Sequence, residues 1–215
     1  MATLLRIDSS PLAQGVSFSR QLTAEFVEQW KRNHPGGKVI TRDLAATSLS
    51  PVDAEWIGAA HTPKGDLTSH QREILALSNE LIGELKAADE YVIGVSMHNF
   101  SIPAALKLWI DQVVRAGETF SYEGGAPAGM LQQKKATFLV ASGGVYEKGS
   151  PAFAMNFIEP YLSSLFAFIG VTDINFISAS GTARQRFGVD RETILKPALA
   201  SILQSALQPE QNVFA

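Results

Sequence analysis

Apolar positions along the chain follow two alternating rhythms. Residues 4–8, 39–44, 91–96, 137–141 and 173–177 are short runs rich in aliphatic and β-branched side chains, and they predict five strands. Between them apolar residues recur three and four apart: Leu22, Phe26, Val27 and Trp30; then Ile74, Leu77, Leu81 and Leu85; then Ile102, Leu106, Trp109, Ile110 and Val113; then Leu162, Leu165, Phe166 and Ile169. A period near 3.6 residues predicts amphipathic helices there. Residues 33–37 stop the first helix, and residues 45–63 form an irregular loop with a short helix carrying Trp56. Residues 117–129, rich in glycine and aromatics, predict a long ordered loop. Residues 190–207 are helical in pattern, with Pro197 expected to kink that helix or delay its start.

Strands and helices in strict alternation define an α/β protein with a parallel sheet. Residues 91–96 are nearly all apolar, as a central strand buried on both faces requires. The reading is a flavodoxin-like doubly wound five-stranded parallel sheet, order 2-1-3-4-5, helices on both faces, as a single domain over residues 1–215. No G-x-G-x-x-G follows the first strand and no P-loop is present, which argues against a dinucleotide-binding or P-loop sheet. Asp8 and Asp43 at strand ends would suit a phospho-accepting receiver, but the third strand ends in Ser96-Met97 without an aspartate.

Composition narrows the classes further. The 215 residues are 46% hydrophobic and 18% charged, as expected of a soluble globular protein. Lys+Arg 18 against Asp+Glu 21 gives a net charge of −3, leaving no basic excess for nucleic acid. The absence of cysteine removes disulfides, thiolate metal sites and cysteine nucleophiles together. Arg6 and Asp8 interrupt the N-terminal apolar run before it resembles a signal peptide, and no window is long enough for a membrane span. A cytoplasmic protein is expected. His34, His61 and His70 are scattered without metal-ligand spacing, so no metal is expected, and no G-x-S-x-G elbow supports a hydrolase.

In an open parallel sheet, ligands bind beyond the carboxyl ends of the strands where the strand order reverses. For the order 2-1-3-4-5 these are the loops after strands one, three and four. The first carries Ser9, Ser10, Ser17 and Ser19 before a helix, where hydroxyls and free amides either cradle a phosphate or merely cap the helix. The second reads Ser96-Met97-His98-Asn99-Phe100, a compact turn able to edge a flat heterocycle; His98 there is either a proton-transfer group or a shape-setter of the turn. The third, Ala141-Ser142-Gly143-Gly144-Val145-Tyr146, lets a ligand approach the backbone closely or is an ordinary turn.

At these residues the sequence resembles the FMN-dependent NADH-azoreductase and NAD(P)H:quinone oxidoreductase family of flavodoxin-like proteins, over essentially the whole chain. The Ser96–Phe100 turn carries the resemblance, together with Arg115-Ala116-Gly117-Glu118-Thr119-Phe120-Ser121-Tyr122, residues 129–135, and Tyr161-Leu162 leading to Gly170 and Asp173. The serines of residues 10–19 and the Ser142-Gly143-Gly144 turn complete it. The resemblance implies that Ser10, Ser17, Phe18 and Ser19 hold the phosphate and ribityl chain of tightly bound FMN. It implies further that Met97, His98, Asn99 and Phe100 run along the isoalloxazine, and that Ala141, Ser142, Gly143 and Gly144 meet its pyrimidine side. The chain departs from the family pattern at three places: His98 replaces a usual tyrosine, Phe18 a usual polar residue, and Ala141-Ser142 a usual Ser-Arg.

The resemblance also implies two-electron transfer from NADH or NADPH to quinones and azo compounds by a ping-pong cycle. In such a cycle the flavin performs the hydride transfer and no protein residue serves as nucleophile. A homodimer is implied, with Phe120 and Tyr122 reaching the substrate of the partner subunit and Trp56 and Tyr146 walling the pocket; each aromatic is otherwise packing. The alternative from the residues is a flavodoxin-like electron carrier without small-molecule turnover. A net charge of −3 is mild for docking by charge, and the aromatic loop suits a small-molecule pocket better.

Overall fold

A computed structural model describes residues 1–207. Along the chain run β1 (Thr3–Asp8), α1 (Phe18–Asn33), β2 (Lys38–Asp43), α2 (Ala54–His61), α3 (Ser69–Ile74), α4 (Ala76–Ala87), β3 (Glu90–Ser96) and α5 (Ala104–Val113). They are followed by β4 (Phe120–Ser121), β5 (Ala128–Gly129), β6 (Lys135–Ala141), α6 (Ile158–Phe168), β7 (Asp173–Ala179) and α7 (Arg191–Leu207). Five strands pair in parallel in the order β2-β1-β3-β6-β7. Numbered within the sheet alone, this is the expected order 2-1-3-4-5. Residues 208–215, the end of the expected domain, lie outside the described residues.

The two-residue period of the strands divides the core between the sheet's faces. Leu5, Ile7, Ile93, Val95, Phe138 and Val140 face α4, α5 and α6, where Leu81, Leu85, Leu106, Trp109, Leu162 and Phe166 complete one cluster. Their neighbours Leu4, Val92, Leu139 and Ile177 face α1 and α7, meeting Leu22, Phe26, Leu195, Ala198 and Ile202. β3 and β6 are buried along nearly their whole length, whereas β2 at the edge alternates partly exposed positions.

Three expectations need correction. The helix marked by Ile74 to Leu85 is two helices meeting at Leu75. α7 starts at Arg191, well before Pro197, so the proline does not delay it. Burial of Ile194, Leu195, Ala198 and Ile202 compensates for the backbone bond that proline removes. The loop at 117–129 contains a short antiparallel ladder, Phe120 opposite Gly129 and Ser121 opposite Ala128. Sequence periodicity cannot register a two-residue strand. The ladder is held by tertiary contact: the Phe120 ring lies 4.7 Å from Phe168, and the backbone of Gly129 sits so close to Gly170 that a Cβ there would come within 2.1 Å of Gly170 N.

Candidate functional site

The C-terminal ends of β1, β3 and β6 are neighbours, so their following turns share one rim of the sheet. Asp8 ends β1, and Ser9 binds sideways to β3, its Oγ donating to Gly94 O at 2.6 Å. The chain then returns to α1 through Ser17, the N-cap, whose Oγ accepts from Arg20 N at 3.3 Å. Ser17 Oγ lies 3.2 Å from Ser19 Oγ, and Ser19 Oγ lies 3.1 Å from Ser96 Oγ at the end of β3. Ser10, Ser17 and Ser19 are all buried. Ser17 therefore does cap the helix, while Ser19 bridges to the neighbouring strand. At the first two helical positions the amides of Phe18 and Ser19 have no helical acceptor.

Arg20 pins this loop from behind. Its Nε and Nη2 donate to Ser10 O at 3.1 and 2.6 Å, and its guanidinium grips Asp43 at 2.6 and 2.8 Å. The hydrogen bond from Arg20 holds the Asp43 carboxyl below the usual carboxylate range, and Asp43 in turn raises the pKa of Arg20. Asp8, buried beside them, pairs with Arg6 at 2.8 Å and accepts from Thr23 Oγ1 at 2.6 Å. The sequence reading missed Arg20 and its pairing with the strand-end Asp43, because partners 23 residues apart meet only through the sheet.

The second turn begins with Met97 N donating to Ala141 O at 2.8 Å, which ties it to the third. His98 and Ser101 exchange backbone hydrogen bonds of 2.9 and 3.0 Å. Between them Asn99 and Phe100 have φ of 48° and 68°, the signs of a type I′ turn built without glycine. Left-handed backbone costs a residue with a Cβ about 1–2 kcal/mol, a cost borne here by Phe100 more than by Asn99. Strain of this kind concentrates at functional sites, and here it sets out Asn99 and Phe100 on the exposed rim. His98 sets the shape of this turn through its backbone.

At the third turn, the carbonyls of Ser142, Gly143 and Gly144 are taken and the glycine amides are left over. Ser142 O accepts from Thr182 N at 2.9 Å, Gly143 O from Ala183 N at 3.2 Å and Gly144 O from Gly181 N at 2.9 Å. The strut making these bonds opens the 3-10 helix Thr182–Phe187 after β7, and the sequence reading did not include it. Among the described residues the amides of Gly143 and Gly144 have no acceptor. Tyr146 folds back over this turn: a Cβ on Gly144 would lie 2.9 Å from its hydroxyl, and its ring meets Phe100 edge-on at 6.0 Å.

The twelve residues expected around the cofactor, together with Tyr146, thus belong to three contiguous turns. The other three pocket candidates stand apart. Trp56 on α2 donates its Nε1–H to Gln112 Oε1 at 2.9 Å and lines a separate cleft of about 260 Å³ with Ser48, Ser50, Ile74 and Leu77. Phe120 is buried against Phe168, and Tyr122 is exposed beside it. Gly129, paired with Phe120, packs on Gly170 just before β7 begins, so the ladder is docked at the edge opposite the rim.

This sheet order with a polar rim at the β1–β3 reversal defines a flavodoxin-like protein, and the family model described as flavodoxin-like fold matches residues 2–205. The chain belongs to that family, together with the proteins named FMN-dependent NADH:quinone oxidoreductase to which it is similar. One of these, from Acidobacterium capsulatum, is 56% identical over 96% of this chain and 100% of its own. Another, from Nostoc punctiforme, is 41% identical over 93% of this chain and 99% of its own. Among solved structures, an azoreductase from Bacillus anthracis superposes with a TM-score of 0.85 at 29% identity, covering 96% of this chain and 99% of that one. An FMN-dependent NADH-azoreductase from the same species, solved in complex with FMN, gives 0.83 at 25% identity over 95% and 97%.

The donor set suits FMN. Hydroxyls of Ser10, Ser17 and Ser19 with the amides of Phe18 and Ser19 offer a phosphate monoester donors without a carboxylate among them at a helix N-terminus. The nearby carboxylates Asp8 and Asp43 are neutralised by Arg6 and Arg20. The leftover Gly143 and Gly144 amides match the acceptor-rich edge of a flavin pyrimidine ring.

Proposed function

We propose that this protein is an FMN-dependent oxidoreductase that passes two electrons from NADH or NADPH to quinones and azo compounds. The observation that carries the reading is the division of donor groups along one rim. Hydroxyls and amides collect at the N-terminus of α1, the Gly143 and Gly144 amides stand at β6, and the strained Asn99–Phe100 turn lies between them.

FMN, when bound, supplies the hydride and electron transfer chemistry. Ser10, Ser17, Phe18 and Ser19 hold its phosphate and ribityl chain. Met97, His98, Asn99 and Phe100 run along its ring, and Ala141, Ser142, Gly143 and Gly144 bind the pyrimidine edge. No side chain is required as nucleophile: the protein orients the ring, shields it and donates hydrogen bonds. Tyr146 and Phe100 wall the open face, where the nicotinamide and the acceptor bind in turn, giving ping-pong order.

The same reading makes the protein a homodimer. Tyr122 is 61% exposed just after the ladder strand that docks at the edge opposite the rim, so its ring serves the rim of a second copy. Exposed Phe157, whose amide donates to Phe100 O at 3.2 Å, offers that copy an apolar seat. Trp56, in its own cleft, walls the pocket only where a partner brings that cleft to a rim. The reading places the enzyme in the cytoplasm, where the nicotinamide donor is available.

The test is an absorbance spectrum of the purified protein followed by NADH oxidation with and without a quinone. A flavin spectrum and acceptor-dependent turnover support the enzyme. A flavin spectrum without turnover would make the protein an electron carrier, and a colourless preparation that takes up no FMN would remove the reading altogether.

A further inference from the structure

Arg191, the first residue of α7, reaches from the last helix to the first turn of α1. Its guanidinium carbon stands 3.8 Å from the centroid of the Phe18 ring. Its Nε donates to Gln21 Oε1 at 2.9 Å and its Nη1 to Val16 O at 3.1 Å. Val16, Phe18 and Gln21 are interleaved with Ser17 and Ser19, so the guanidinium grips the very segment that carries the phosphate donors.

The third nitrogen is the unusual one. Nη2 of Arg191 is buried and has no hydrogen-bond partner. Among the described residues no carboxylate pairs with Arg191, and desolvation without a compensating anion pulls its pKa down. The other arginines behind the first rim turn are neutralised, Arg6 by Asp8 and Arg20 by Asp43. An unpaired cation held partly out of water is destabilising unless an anion arrives. The anion that suits this place is a phosphate monoester at the α1 N-terminus.

We propose that Arg191 is a positioning residue for the phosphate end of FMN, fixing residues 16–18 and supplying the positive charge that the hydroxyl-and-amide cradle lacks. The inference rests on the FMN reading above. It assigns α7 a part in cofactor retention: the last helix of the fold closes over the first ligand turn, and the phosphate provides the counter-ion that the free protein lacks.

The test compares flavins with and without the phosphate. Wild type, Arg191→Met and Arg191→Lys are stripped of flavin, checked for folding by circular dichroism, and titrated with FMN and with riboflavin by quenching of flavin fluorescence. Arg191→Met is expected to weaken FMN about tenfold while leaving riboflavin within about twofold. Arg191→Lys, which keeps the charge but not the grip on Val16 and Gln21, falls between wild type and Arg191→Met in FMN affinity. In the wild type, FMN affinity falls with added salt more steeply than riboflavin affinity. Equal losses for both flavins, no loss for either, a lysine variant as weak as methionine, or a salt response identical for the two flavins would overturn the proposal. These results leave the proposed function intact, because wild-type FMN binding is read in the same titration. A wild type that binds no FMN would overturn both.

Discussion

The hydroxyl of Ser19 lies 3.1 Å from that of Ser96, joining the first turn of α1 to the last residue of β3 across the point where the strand order reverses. Ser96 is thereby part of the cradle without belonging to the loop that forms it. Ser19→Ala is expected to weaken FMN about tenfold, and Ser96→Ala by a smaller factor, because it loosens Ser19 without removing a donor. Fluorescence titration checks both, and the double variant should resemble Ser19→Ala alone. Full additivity would show that the two serines act separately.

The turn at Asn99 gives a stability prediction of opposite signs. With φ of 48°, Asn99 tolerates the left-handed region better than most residues and glycine tolerates it best. Asn99→Gly should leave stability unchanged or raise it slightly. Asn99→Val should lower it by about 1–2 kcal/mol and also weaken FMN retention. Chemical denaturation with and without FMN measures both. A valine variant as stable as the wild type would show that the turn relaxes into another conformation.

Gly144 and Tyr146 are coupled. A methyl group on Gly144 must push the Tyr146 ring away, because it would lie 2.9 Å from the hydroxyl and 3.0 Å from the ring carbons. Gly144→Ala should therefore be tolerated in a Tyr146→Ala background and cost about 1 kcal/mol more when Tyr146 is present. A double-mutant cycle read by thermal unfolding checks the coupling, and strict additivity would contradict the contact.

Glu118 predicts an acid limb. It is buried, which opposes ionisation, yet Lys64 at 2.8 Å, Lys86 at 2.7 Å and Arg115 at 3.1 Å bring its pKa down to about 2 from 4.5. Because the folded-state pKa is the lower one, its contribution to stability is fully present above pH 4.5. It is lost as pH falls toward 2. The contribution is at most about 3 kcal/mol. Glu118→Gln should be less stable than wild type at pH 7, with the gap closing between pH 4.5 and 2 in urea unfolding. A gap independent of pH would remove the electrostatic explanation.

The sheet and its rim were legible because a buried parallel strand must be apolar, as residues 91–96 are, and because the turns that meet at the rim are marked by serine, asparagine and glycine. Ser17 and Ser19 show the limit of that legibility. One composition signal covers two roles, and only the structure separates the N-cap from the bridge to Ser96. Arg20, Arg191 and the Gly181–Ala183 strut act through partners distant in sequence, so no local pattern announces them. The ladder at Phe120 was hidden for a related reason: two residues per strand leave no period, and its dock on Gly170 is a backbone contact.

The most direct measurement is a crystal structure of the protein grown with FMN. The account predicts the phosphate against Ser10, Ser17 and Ser19 and the pyrimidine edge within hydrogen-bond distance of the Gly143 and Gly144 amides, with Tyr146 lifted or turned to admit it. Flavin density elsewhere, or a ring whose pyrimidine edge faces away from those two amides, would contradict it.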